Sequence, residues 1–192
     1  MKKTLTVIIA LVLVVVMSVA GTVAYLTSQA TVTNAFTVGN VTITMDEAKV
    51  DVYGKAVTSA ERVGANTYKL IPGHTYTKDP IVHVGADSED CWLFVKVENG
   101  LSAIEDSTAT IADQLSANGW TLVADTTNIY AYRTTVSANT NVPVFASFKL
   151  AGTADVAGYA NAKIVVTAYA VQADGFDTAA AALTAAPFPT AA

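Results

Sequence analysis

From Leu26 onward, apolar residues recur with a period of two. The even row reads Leu26, Ser28, Ala30, Val32, Asn34, Phe36 and Val38; the odd row reads Thr27, Gln29, Thr31, Thr33, Ala35 and Thr37. Successive side chains of a strand point to opposite faces, so this pattern predicts a half-buried strand. After Gly39 the phase reverses, with Val41, Ile43 and Met45 apolar and Asn40, Thr42, Thr44 and Asp46 opposite. A bulge or register break at the glycine accounts for the reversal.

Further along, Val50, Val52, Tyr68 and Leu70 lie in short alternating stretches around Gly54 and Gly64, predicting a weakly paired hairpin. Pro72-Gly73 marks a turn, and Lys78-Asp79-Pro80 a second, ahead of a strand at Ile81–Val84. The run Cys91–Glu98 is the strongest core strand. Its odd face is Cys91, Leu93, Val95 and Val97, and its other face starts aromatic at Trp92 and Phe94 before turning charged at Lys96 and Glu98. Ile111 and Leu115, four apart, predict a helix over Ser107–Gly119 that stops at the glycine. Strands follow at Trp120–Ala124, Ile129–Arg133, Val142–Leu150 and Ala162–Gln172. In the third of these, Val142, Val144, Ala146, Phe148 and Leu150 share one face, with Phe145 and Lys149 opposite. From Asp177 an Ala-rich tail has room for two helical turns before Pro187-Phe188-Pro189. Many short strands, one interposed helix and no regular strand–helix alternation predict an all-β fold, an antiparallel β-sandwich of jelly-roll type.

The N-terminus has a different character. Met1-Lys2-Lys3 is basic and leads into an apolar run from Leu5 to Met17, the n- and h-regions of a signal peptide that forms an N-terminal signal helix. Two small-x-small sites follow, Ser18-Val19-Ala20 and Thr22-Val23-Ala24, and either suits a signal peptidase. Thr4 to Leu26 is uncharged and, at about 1.5 Å per helical residue, long enough to cross a hydrocarbon core of about 30 Å, so the chain is membrane-tethered until it is cut. Removing Lys2 and Lys3 takes the net charge from -5 to -7.

Composition narrows the function. With 11 Lys+Arg against 16 Asp+Glu and no basic cluster beyond the start, the chain lacks the footprint of a nucleic-acid binder. One cysteine, Cys91, forms no internal disulfide, and its apolar run points to a buried thiol. His74 and His83 are the two histidines; with one of Asp79, Asp87, Glu89 or Asp90 they are the candidate ligands for a zinc ion. The plainer reading places His74 in a turn and His83 on a solvent-facing strand. Asp87, Glu89 and Asp90 lack EF-hand spacing and read as a solvated loop. No HExxH, nucleophile elbow or phosphate-binding loop occurs, and no residue pattern calls for a cofactor.

Three motifs carry a resemblance. They are Gly21-Thr22-Val23-Ala24-Tyr25-Leu26, Asn34-Ala35-Phe36-Thr37-Val38-Gly39-Asn40-Val41-Thr42-Ile43 and Leu70-Ile71-Pro72-Gly73-His74-Thr75-Tyr76-Thr77-Lys78-Asp79. In this order they resemble the TasA/camelysin (CalY) family over residues 18–46 and 70–84; the C-terminal half is similar mainly in its β-rich pattern. The resemblance implies a secreted surface protein of Gram-positive bacteria with a jelly-roll fold. It also implies a signal peptide, residues 1–24, cut by a dedicated type I signal peptidase between Ala24 and Tyr25. TasA builds extracellular biofilm-matrix fibres, and camelysin has been described as a metalloprotease, although this sequence holds no recognised zinc motif.

On this reading the chain divides into the signal peptide, a donor strand at 25–38 and a sandwich domain at 39–192 with its Ala/Pro-rich tail. Once cut, the strand would offer Leu26, Ala30, Val32, Phe36 and Val38 to a neighbour's sheet. The expected partners are further copies of the chain, the signal peptidase during export and, as an optional component, an accessory matrix protein. The alternative is a surface zinc endopeptidase using His74 and His83.

Overall fold

A computed structural model describes residues 40–57 and 61–189. The signal segment, the Ala24–Tyr25 junction, the strand with Leu26, Ala30, Val32, Phe36 and Val38, and the break at Gly39 lie outside the described residues. Strands form where the sequence predicts them at β1 (Ile43–Ala48), β4 (Ile81–Val84) and β5 (Cys91–Asn99), while β2 (Arg62–Val63) and β3 (Thr75–Thr77) are strands that the alternation does not predict. In the expected hairpin, Val50, Val52, Tyr68 and Leu70 lie outside the strands, with an isolated Val50–Ala56 bridge and one hydrogen bond from Lys69 N–H to Val52 O. Helix α1 (Ile111–Ala117) follows, then β6 (Trp120–Leu122), β7 (Ile129–Tyr132), β8 (Asn141–Pro143), β9 (Ser147–Lys149), β10 (Ile164–Gln172) and helix α2 (Ala179–Ala185).

The strands form one sheet in the order β2-β1-β4-β8, a second in the order β10-β5-β7-β6, and the pair β3-β9, all antiparallel. The pair extends the first sheet. Thr77 opposes Ser147 and Ile81 opposes Pro143, an equal advance on both strands, so the register is kept across the gap. Pro80 has no N–H to give the ladder. Lys78 N–H to Ala146 O (3.2 Å) and Val144 N–H to Pro80 O (2.9 Å) bridge the interruption.

Side chains from both sheets meet in one core that includes Tyr76, Val82, Leu93, Val95, Trp120, Val142 and Phe148. The odd face of β5 is buried, as its pattern predicts. Its aromatic face is covered as well: Phe94 packs with Val171 and with Ala182 of α2, while Trp92, Tyr169, Phe176, Leu183 and Phe188 surround them. The Ala-rich tail is thus a lid on the outer surface of the second sheet, with Trp92 Nε1 donating to Phe176 O at 3.2 Å.

Two further expectations need correction. The helix begins at Ile111, not Ser107, because Asp106 Oδ1 accepts from the Thr108 amide and hydroxyl and holds a turn there. Thr110 is the true cap, its Oγ1 accepting from Asp113 N–H and donating to Asp113 Oδ2 in a reciprocal box. Gly119, at φ 87°, ends the helix as expected. The single strand over 142–150 is split in two, with Phe145 buried and Ala146 exposed, the reverse of the alternation. Gln114 of α1 explains this: its Oε1 accepts from the Ala146 and Ser147 amides, drawing that segment away from regular pairing.

Candidate functional site

Three of the four outer strands of the two main sheets are short, with two residues in β2 and three each in β6 and β8. The fourth, β10, has nine. Its inner edge pairs with β5 from Ile164↔Asn99 to Gln172↔Cys91. Among the described residues no strand pairs with its outer edge. Ile164, Val166, Ala168 and Ala170 lean on the main core, and Val165 is 41% exposed.

Beside this edge, between the start of β10 and β1, runs a groove of about 750 Å³. Met45, Tyr68, Leu70, Phe148, Ile164 and Val166 make its apolar walls. Tyr68 is wedged in place edge-on to Phe148 and Tyr76, at centroid distances of 5.2 and 5.7 Å, and its hydroxyl donates to Thr77 O.

Polar residues also reach the groove. Glu47 continues the inward row of Val41, Ile43 and Met45 and is only 3% exposed. A buried carboxylate requires partners, and it has two. Lys78 Nζ donates to Oε2 at 2.6 Å, and Asn66 Nδ2 to Oε1 at 2.9 Å. Asn66 is itself clamped, its Nδ2 also donating to Ala48 O and its Oδ1 accepting from Val50 N–H. Burial and then the charge of Glu47 push the Tyr68 phenol well above its ordinary range.

On the first sheet a second polar chain crosses every strand. Arg62 of β2 binds Asp46 of β1; Asp46 Oδ1 is 3.0 Å from His83 Nε2 of β4; and His83 Nδ1 is 2.7 Å from Asn141 Oδ1 of β8. Arg62 also donates to Asp79 Oδ2 and to the Asp79 carbonyl.

The residues singled out by sequence are distributed as follows. His74 follows the Pro72-Gly73 turn, its Nε2 2.8 Å from Tyr53 O and its ring edge-on to Tyr76. His83 belongs to the polar chain just described, so the two histidines have no partner in common. Asp79 is bound by Arg62, and Asp87, Glu89 and Asp90 are exposed. Among the described residues no three His, Cys, Asp or Glu side chains converge as metal ligands. Cys91 is fully buried, and burial, then the charge of Asp90, pushes its thiol up to about 11, the setting of an inert thiol.

Sequence reasoning missed Glu47, Asn66 and Lys78. The one available signal was that Glu47 occupies the apolar phase of its strand. Compared with known proteins, the chain matches no family model, no curated protein and no solved structure.

Proposed function

We propose that the chain is a secreted structural subunit of an extracellular fibre, at the cell surface or in a biofilm matrix, and that copies join head to tail. After a signal peptidase cuts between Ala24 and Tyr25, residues 25–38 of one copy add to the outer edge of β10 in the next. The observation that carries this reading is the nine-residue outer edge of β10, unpaired among the described residues, beside a groove lined by both apolar and polar side chains. A long edge presents a row of backbone donors and acceptors that templates another strand, and folds usually shorten or cover such edges. A strand with one apolar face fits both edge and groove.

Each large side chain buried from the row Leu26, Val32, Phe36 and Val38 would contribute about 1.5–3 kcal/mol, less the cost of ordering the segment. Because donor and acceptor are different surfaces, the contact is heterologous and grows an open filament unless its rotation closes a ring. The jelly-roll assignment is supported by nested pairing, β4 with β8 in one sheet and β5 with β7 in the other. The basic n-region and h-region support an N-terminal signal helix that tethers the chain to the membrane before cleavage.

Electron microscopy and N-terminal sequencing of the exported protein test the proposal. The expected mature protein starts at Tyr25 and forms fibres, and a chain lacking residues 25–34 stays monomeric. Unaltered fibres from the deleted chain would overturn strand donation.

A further inference from the structure

Glu47 holds the nitrogens of two different side chains on its two oxygens: the Lys78 amine at 2.6 Å and the Asn66 amide at 2.9 Å. Glu47 is 3% exposed, and the Lys78 side chain is 12% exposed. We propose that Lys78 and Asn66 form an intramolecular amide cross-link, with Glu47 as the proton carrier. The inference does not depend on strand donation.

The chemistry follows from where the hydrogen bonds go. Passing a proton from Lys78 to Glu47 along their hydrogen bond leaves a neutral amine and a neutral acid, removing two charges from a site poor in solvent. The free amine is then a nucleophile. Its electrophile is the Asn66 carboxamide carbon, whose Oδ1 already accepts from the Val50 amide at 3.0 Å. That donor stabilises the oxygen as negative charge collects on it. Asn66 Nδ2, the leaving nitrogen, donates to the same Glu47, so one carboxyl group serves both the attacking and the departing nitrogen.

The atoms balance without any co-reactant. A bond forms between Lys78 Nζ and Asn66 Cγ, and the bond from Cγ to Nδ2 breaks. Of the three protons on the lysine ammonium, one stays on the new amide. The other two pass through Glu47 to Nδ2, which departs with its own two as an ammonium ion. Glu47 returns to its carboxylate.

Three further features favour the reaction. Tyr68, fixed against Tyr76 and Phe148, walls the site with aromatic carbon. Asn66 makes hydrogen bonds with Val50, Ala48 and Glu47, which prevents its amide from turning away. Lys78 sits where Pro80 breaks the ladder, in a segment anchored by its own amide to Ala146. Positioning of this kind replaces the entropy cost of bringing two groups together.

The product would close the chain between residues 66 and 78, tying the loop after β2 to the break between β3 and β4. Such a link survives denaturant and reductant, unlike a disulfide.

Intact-mass measurement of the purified full chain under denaturing conditions, with protease mapping, tests the assignment. The expected protein is lighter than its sequence by one ammonia and yields a branched peptide joining Asn66 to Lys78. Glu47→Gln is expected to show the full mass. The proposal is overturned if the wild-type protein has its unmodified mass, with Asn66 and Lys78 in separate linear peptides. It is also overturned if the ammonia loss maps to other residues, or if Glu47→Gln still carries the branch. The wild-type measurement decides by itself, whether or not the variant folds.

Discussion

His83 and Asp46 meet at 3.0 Å on a diagonal between β4 and β1, while the other ring nitrogen of His83 faces Asn141 Oδ1 at 2.7 Å. A neutral imidazole has one N–H, so only the protonated ring donates to both oxygens. The hydrogen bond to Asp46, then that to Asn141, raises the His83 pKa, against burial and the charge of Arg62. The folded protein therefore holds this proton more tightly than the unfolded chain does. That stabilisation is complete below the ordinary histidine value of 6.5 and is lost as pH climbs through the higher folded value. Because the site is partly exposed, its size is about 0.5–1 kcal/mol. Urea midpoints are expected to fall between about pH 6 and pH 8 in the wild type and to show less of this fall in His83→Gln. Equal slopes in the two proteins would rule the coupling out.

Tyr76 is fully buried, and its hydroxyl both donates to Lys69 O and accepts from Ile71 N–H, each at 2.7 Å. Its ring stacks on Phe148. Tyr76→Phe keeps the stacking and leaves both backbone groups without this partner, a loss of about 1–3 kcal/mol. Chemical denaturation should show a lower midpoint with an unchanged slope.

Gly54 adopts φ +74°, and a Cβ there would lie 2.7 Å from the Tyr76 backbone. Left-handed backbone and a clash with main chain act together, so Gly54→Ala is expected to cost more than about 1 kcal/mol. Gly64 has open space around its Cβ position and a φ outside the left-handed range. Gly64→Ala is the control, expected within about 0.5 kcal/mol of wild type by thermal melting.

Val165 lines the groove from the edge strand and is 41% exposed. Lysine on an exposed edge opposes strand addition. Val165→Lys is expected to leave the monomer's circular dichroism and melting point close to wild type while abolishing fibres in negative-stain micrographs. Normal fibres from this variant would place the acceptor elsewhere.

Much of this fold is legible in the sequence because alternation and turn chemistry are local. The odd face of β5, the Pro72-Gly73 turn and the Gly119 stop could each be read within a few residues. What escaped depends on distant partners. Phe145 turns inward because Gln114, on a helix far back along the chain, takes the neighbouring amides. The Glu47 site joins residues 19 and 31 positions apart, and a glutamate in an apolar row looks like a flaw in the pattern until Asn66 and Lys78 reach it. The helix start at Thr110 was available in principle, since Thr110 and Asp113 have capping-box spacing, but Ser107 and Thr108 offer competing caps.

Strand β10 has its inner face on the core, its outer face toward the C-terminal lid and, among the described residues, one side without a pairing strand. A polymer built through that side would have two chemically different ends, one presenting a vacant cleft and the other an undonated 25–38 segment. Growth is then directional, and a copy stripped of residues 25–34 accepts an incoming donor segment but extends none of its own. Mixed in at low ratio, such a copy should terminate one end only, shortening the filaments without dissolving those already made.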